Sequence, residues 1–331
     1  MTVSVKDVAA AAGVSVGTVS NVLNRPEQVS KATAERVHRA IDELGFVRND
    51  AARQLRAGQS RSIGLVVPDV GNPFFAEVAR GAEERAAEAG MTVLLGNSDE
   101  QLDRQTAHLE LFREQRLSGV LVAPVSDDLS VVRQLASSGT RAILVDHEDA
   151  ESSLPGVAVD DVEGGRLAVA HLLRQGSRKV AYVSGPAQTR QVADRLRGAR
   201  AAIDAVPGAT LEIIERPALT VLHGRTAGEE IVARSPALRP EAVFAANDLL
   251  AVGLLQAFAL GGGVQVPNEI ALIGYDDIDF ASATVVSLSS ISQPARTLGR
   301  TAVDLLLEEG DSPKGTVRFQ PELVVRDSTA G

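Results

Sequence analysis

The sequence predicts a small all-α head followed by a two-lobed α/β body built on parallel sheets. Three observations predict it. Residues 4–24, SVKDVAAAAGVSVGTVSNVLN, hold two short helical patterns hinged at Gly13. From Ser60 onward, apolar runs of strand length alternate with amphipathic stretches, the pattern of parallel sheets covered by helices. The alternation lasts roughly 270 residues, large for one such sheet, so two lobes are expected.

The first head helix is alanine-rich and starts behind Ser4. Asp7 lies three residues on, a capping-box-like start. The second starts behind Ser15, and its Val19, Val22 and Leu23 share one face at helical spacing. Its other face carries Gly17, Thr18, Ser20, Asn21 and Asn24, small polar groups suited to lie against hydrogen-bonding edges. An ordinary helical hairpin with a solvated face has the same pattern. A helix, a tight glycine turn and a second helix with a small polar face is also the helix-turn-helix layout that enters the DNA major groove. Ser30 caps a third helix, whose Val37, Ala40, Ile41 and Leu44 are expected to face inward, and Gly45 ends it. Val8, Val19, Leu23, Val37 and Ile41 are the expected head core.

Composition sets the bounds. The chain has 331 residues, 44% hydrophobic and 23% charged, which fits an ordinary globular protein of two or three domains. Zero cysteine excludes disulfides, thiolate metal sites and cysteine nucleophiles. Five scattered histidines make a zinc site an unexpected find. No apolar run approaches a membrane span, and no basic-then-apolar signal precedes the head, so a cytoplasmic protein without a membrane partner is expected. The net charge of −10 argues against a nucleic-acid partner until its distribution is considered. Residues 1–60 hold eight Lys+Arg against six Asp+Glu, net +2, and the remainder is net −12. Only the head is cationic, and by a margin small enough that DNA affinity should need a dimer and oriented contacts.

Between head and body runs VRNDAARQLRAGQS. Asn49 can cap a short helix that Gly58 stops, of a length marginal in isolation. Leu55 is a large apolar residue near two arginines, Arg53 and Arg56. It fits either a packing contact with a neighbouring domain or a wedge between base steps in the minor groove. In the body, strands are expected at 63–67, 92–95, 120–123, 142–145, 180–183, 212–214, 242–245 and 270–273. Helices are expected at 75–89, 102–115, 163–175, 195–205, 224–234, 249–260 and 294–307. Ligands in such folds sit beyond the carboxyl ends of strands, which directs attention to 68–75, 146–147, 184–195, 246–248 and 274–279.

The head, the linker NDAARQLRAGQS and the body motifs GNPFF (71–75), AANDLLAVG (245–253) and LIGYDD (272–277) together resemble the LacI/GalR family of bacterial transcriptional regulators. The resemblance covers the chain from about Val3 to Val325, in the family's motif order. It implies a DNA-binding head at 1–47, a hinge helix and linker at 48–60, and an effector-binding and dimerising body at 61–331. The body would resemble periplasmic sugar-binding proteins, with lobe one at about 61–160 and 292–319 and lobe two at about 161–291 and 320–329. Three crossovers would join the lobes, with the effector between them.

By that resemblance, Leu55 levers open the centre of a pseudo-palindromic operator. Val16, Gly17 and Asn21 fall at base-reading positions. Ser4, Ser15, Thr18, Ser20 and Asn24 complete the expected DNA-contacting set through phosphates and the helix start. Many members carry arginine at the Asn21 position; asparagine prefers adenine, and Val16 can touch a thymine methyl. In the cleft, Phe74, Asp146, Arg195, Leu219, Asn247 and Asp276 match effector-binding positions, and Phe75 is expected to support the core. Leu219 falls where many sugar-binding members place a stacking aromatic ring, leaving Phe74, helped by His147, for that role. An arginine, an amide and carboxylates fit a polyhydroxylated ligand, so a sugar or sugar derivative is expected. Arg195 could equally bind a carboxylate or phosphate.

Catalysis finds no support in the motifs. The glycine run 261–263 lacks the lysine and hydroxyl of a P-loop, and no nucleophile elbow, paired-histidine motif or dinucleotide fingerprint appears. Neither a cofactor nor a metal is expected. The reading is therefore a homodimeric, effector-controlled repressor of double-stranded operator DNA. A transport-type binding protein and an α/β enzyme with a regulatory head are the alternatives. A regulator that takes its signal from a partner protein is a variant of the first. The chain stops soon after its last strand without a heptad tail, so a tetramerising coiled coil is not expected.

Overall fold

The computed structural model describes residues 3–46, 60–151, 153–261, 263–308 and 315–329. They fall into two compact units that part at residues 59 and 60. Leu55 and the expected hinge helix lie outside the described residues.

The head is three helices, α1 (Val5–Ala12), α2 (Val16–Asn24) and α3 (Lys31–Leu44). Their boundaries follow from caps. The Asp7 carboxylate accepts hydrogen bonds from the Ser4 backbone N–H and hydroxyl at 2.8 and 2.7 Å. Gly13 ends α1 at φ 63°, a left-handed conformation with little cost for glycine. Ser15 and Ser30 cap the next two helices, each accepting from the N–H three residues on. Val8, Val19 and Val37 are fully buried, while Leu23 and Ile41 are half-buried partners of that core. Leu44, expected inside, is exposed at the end of α3, where the small core no longer reaches it.

The body holds two six-stranded sheets. The first comprises β1 (Ser62–Val67), β2 (Thr92–Asn97), β3 (Val120–Val122), β4 (Ala142–Val145), β5 (Gly156–Val159) and β11 (Thr316–Phe319). Its order is β11-β5-β4-β3-β1-β2, all parallel. The second comprises β6 (Lys179–Ser184), β7 (Thr210–Glu215), β8 (Ala242–Ala245), β9 (Ala271–Asp276), β10 (Ser289–Ser292) and β12 (Glu322–Val324). Its order, β12-β10-β9-β8-β6-β7, repeats the first, with β12 antiparallel at the edge. Helices α4 (Pro73–Glu88), α5 (Leu102–Glu114), α6 (Ser130–Ser137) and α11 (Ala295–Leu307) pack on the first sheet; α7 (Asp161–Arg174), α8 (Arg190–Asp204), α9 (Val221–Val232) and α10 (Asp248–Leu260) serve the second. Among the described residues no helix is long and apolar enough to cross a membrane.

The repetition extends to residue level. The ladders align Gly64, Val120 and Ala142 across the first sheet and Ala181, Val243 and Leu272 across the second. Four residues past Ala142 and Leu272 stand Asp146 and Asp276, so the two aspartates occupy equivalent strand ends. The flanking helix pairs match too. A Cβ on Gly299 of α11 would lie 2.0 Å from the Val78 carbonyl oxygen of α4. One on Gly165 of α7 would lie 2.0 Å from the Arg195 carbonyl oxygen of α8. Val78 and Arg195 are therefore twin positions, set against glycines that let the two backbones touch.

The sequence reading missed α6, β5, β10, β11 and β12. The missed strands are short, and β10 is mostly serine. Its Ser289 and Ser290 are nonetheless fully buried, because each hydroxyl is hydrogen-bonded inside the lobe. Helix α8 begins at Arg190 rather than Arg195, which puts Arg195 in its second turn.

Candidate functional site

The chain crosses between the sheets three times: at Asp160–Asp161 after β5, at Gln293–Pro294 after β10, and between β11 and β12. The carboxyl ends of the central strands face each other across a cleft of about 460 Å³. Phe74, Asp146, Arg195, Leu219, Asn247 and Asp276 all line it.

Arg195 is the centre of the cleft floor. It is 4% exposed. Its Nε donates to Asp161 Oδ1 at 2.7 Å, and its Nη1 donates to the Ala246 carbonyl at 2.7 Å. Nη2 lies 3.9 Å from Asp276 Oδ1. The guanidinium stacks 3.6 Å from the centre of the Tyr275 ring, a cation–π contact shielded from water. Asp276 Oδ1 also accepts from Gln293 Nε2 at 2.7 Å. Burial pushes its carboxyl up to about 7, against the pull of Arg195 and the Gln293 bond.

Asp146 answers Asp276 from the first sheet. Gln191 Nε2 donates to its carbonyl at 2.7 Å and to its Oδ2 at 3.1 Å. Its Oδ1 is buried without a partner. Burial, then the charge of Asp161, raises its carboxyl well above the usual range, with Arg195 opposing. Both aspartates have positive φ, 53° and 103°, conformations that short polar side chains tolerate better than most and that cluster at functional sites.

The remaining wall residues are more committed to structure. Asn247 caps α10, its Oδ1 accepting from Leu250 N–H at 2.9 Å while its Nδ2 donates to the Leu219 carbonyl at 3.2 Å. The Leu219 side chain lies over Gly185. Both phenylalanines pack on the first lobe's core. Phe74 is buried in the first lobe's core and Phe75 is only half-buried, their rings edge to face at 5.1 Å. The start of α4 turns Phe74 inward, and both rings still line the cleft. His147 is buried beside Arg190, and burial first, then that charge, lowers its imidazole to about 4.

Asp161, Gln191 and Gln293 were not singled out from the sequence. Asp161 opens α7 and Gln293 sits in a crossover, and neither position carries a motif. Their roles appear only when Arg195 and the aspartates are brought beside them. Among the described residues no cluster of metal-ligating side chains is present.

On the head, Val16 is 44% exposed, and Gly17 and Asn21 lie open on the same outer face of α2. Ser15 Oγ is held by Thr18, at 3.1 Å from its N–H and 2.9 Å from its hydroxyl. Asn24 Nδ2 donates back to the Ser20 carbonyl at 2.8 Å. Ser4 is exposed and bonded to Asp7.

Comparison with known proteins agrees with both units. Residues 4–49 match the model of bacterial regulatory proteins, lacI family, and residues 169–329 match the periplasmic binding protein-like domain. The chain is 34% identical to the HTH-type transcriptional repressor PurR of Photobacterium profundum, over 98% of each chain. It is also 34% identical to the ribose operon repressor of Bacillus subtilis, over 96% of this chain and 93% of that one. The crystal structure of the Lac repressor dimer bound to operator and the anti-inducer ONPF superimposes with a TM-score of 0.87 at 27% identity, covering all of both chains. With a full-length relative at 34% identity and a head that matches the lacI family model, the chain is a member of the LacI family of bacterial transcriptional regulators.

Proposed function

We propose that the protein is an effector-responsive repressor in the cytoplasm, with no catalytic activity of its own. It binds a pseudo-palindromic operator as a homodimer, α2 of each copy in a major groove. Val16, Gly17 and Asn21 read bases, Ser4, Ser15, Thr18, Ser20 and Asn24 fix the helix and the phosphates, and Leu55 wedges the central step. A sugar or sugar derivative occupies the cleft against Phe74, Asp146, Arg195, Leu219, Asn247 and Asp276. The observation that carries this reading is the buried pair Arg195 and Asp276 lining an open cleft, with Arg195 held by Asp161, in a chain with a helix-turn-helix head. The name of the ribose operon repressor supports the sugar class. A ligand that prefers one arrangement of the lobes shifts operator affinity, and the operator shifts ligand affinity by the same factor.

The test is a mobility-shift titration of the full chain on selected palindromic duplexes, repeated with a panel of sugars. Preference for one palindrome over random duplex, altered by one sugar, is expected. Asn21→Ala should cost about 1–3 kcal/mol of base discrimination. Equal affinity for every duplex would sink the proposal.

A further inference from the structure

The charges around the cleft restrict its ligand further than its shape does. Among the described residues, the only arginines lining it are Arg190 and Arg195, and no lysine does. Both are already engaged. Arg195 holds Asp161 and the Ala246 carbonyl. Arg190 Nη1 donates to the Glu148 carbonyl at 2.9 Å, and its guanidinium lies 3.6 Å from Asp127 and 3.8 Å from Asp194. Against these two stand the lining carboxyl groups of Asp69, Asp99, Glu100, Asp127, Asp146 and Asp276.

Four helices, α4, α8, α9 and α10, also start at the cleft, and helix starts favour anions. Here three of the starts are capped from within: Asn72 accepts from Phe74 N–H, Thr220 from His223 N–H and Asn247 from Leu250 N–H. Pro73 opens α4 without an N–H to offer, and Asp248 puts a carboxyl group in the first turn of α10. Asp146 Oδ1 supplies an independent sign of what is missing. It is buried, it has no partner, and its residue lines the cleft. A ligand hydroxyl or ammonium group donating there completes the oxygen and favours its ionised form against the burial that raises it, whereas a carboxylate or a phosphate brings a further negative charge into the same buried carboxyl cluster.

We infer that the cleft takes a neutral or amine-bearing polyhydroxylated ligand and rejects sugar phosphates and sugar acids, with Asp146 as the residue that enforces the choice. This rests on the reading of the cleft as the effector site. Asp146 accepts a ligand donor on Oδ1 while Gln191 holds Oδ2, so the carboxylate is aimed before the ligand arrives.

Thermal-shift and calorimetric titration of the full chain test the inference. The panel consists of neutral pentoses, hexoses and disaccharides, each with its phosphate ester, its aldonate and its 2-amino analogue. The charged acids should bind at least about 100-fold more weakly than their neutral parent, as like charges in a desolvated site require. The amino analogue should match or exceed the parent. Asp146→Asn, close in shape, should narrow the gap between parent and phosphate ester by about tenfold or more while the variant keeps its fold by circular dichroism. A phosphate or aldonate that binds as tightly as its parent overturns the inference and leaves the cleft reading intact. Stabilisation by no member of any class overturns the cleft reading itself, and the inference with it.

Discussion

The two lobes of the body share strand order, ladder register and a strand-end aspartate, yet they differ at one pair of twin positions. Lobe one has Val78 against Gly299; lobe two has Arg195 against Gly165. Asp161, which bonds Arg195, lies four residues before Gly165, and the residue at the same distance from Gly299 is Ala295. A valine beside an alanine thus satisfies the fold in one lobe, where a buried ion pair stands in the other. The fold needs only an apolar contact there. Lobe two instead keeps a desolvated arginine and carboxylate, whose burial costs free energy that their pairing only partly returns. The difference teaches that Arg195 and Asp161 are present for something other than packing.

The sharpest way to break this comparison is to convert lobe two into lobe one. Arg195→Val alone leaves Asp161 buried without its partner and should cost about 3–5 kcal/mol of stability by urea denaturation. Adding Asp161→Ala should recover most of that loss, yet the double variant should no longer respond to any cleft ligand. A single variant as stable as the parent would remove the basis of the comparison.

The next effect depends on pH. The Asp276 carboxyl is pushed up to about 7, above the 3.8 of an unperturbed aspartate. The fold therefore favours its protonated form. That contribution is complete below about pH 4, is lost as pH rises through about 7, and stays lost above. Asp276→Asn is uncharged throughout, so its stability relative to the parent should rise between pH 4 and 7, by up to about 4 kcal/mol at ~1.4 kcal/mol per unit. Urea titrations at pH 4.5 and 8 read the change directly, and a difference independent of pH would contradict the assignment.

The smallest effect belongs to lobe one. Val78→Ala removes apolar contacts from a fully buried site and should cost about 2 kcal/mol. Ligand affinity should not change, since the twin position in this lobe serves packing alone. Calorimetry on the variant checks it, and weakened binding would mean that both twins act on the cleft.

These contrasts also explain what could be read in the chain beforehand. The head was legible because serine caps and two glycine stops are local signals, and the exposed face of α2 follows from helical period. The central strands were legible because they are continuous apolar runs, such as IGLVV and AVFA. The two aspartates and Arg195 stood out at strand ends or by resemblance. Their partners did not, because Asp161, Gln191 and Gln293 are ordinary polar residues until the chain returns beside them. The glycines of the helix pairs were equally silent, since close backbone approach has no sequence period. Leu55 belongs to residues outside the description, and its role rests on resemblance alone.

Two of the three passages between the lobes carry a residue that holds a cleft-lining side chain in place. Asp161 leaves the first passage to hold Arg195, and Gln293 lies within the second and holds Asp276. In the effector-controlled repressor proposed above, a ligand that takes over a bond from Asp276 or Arg195 would therefore act directly on a passage between the lobes, with no relay through either core.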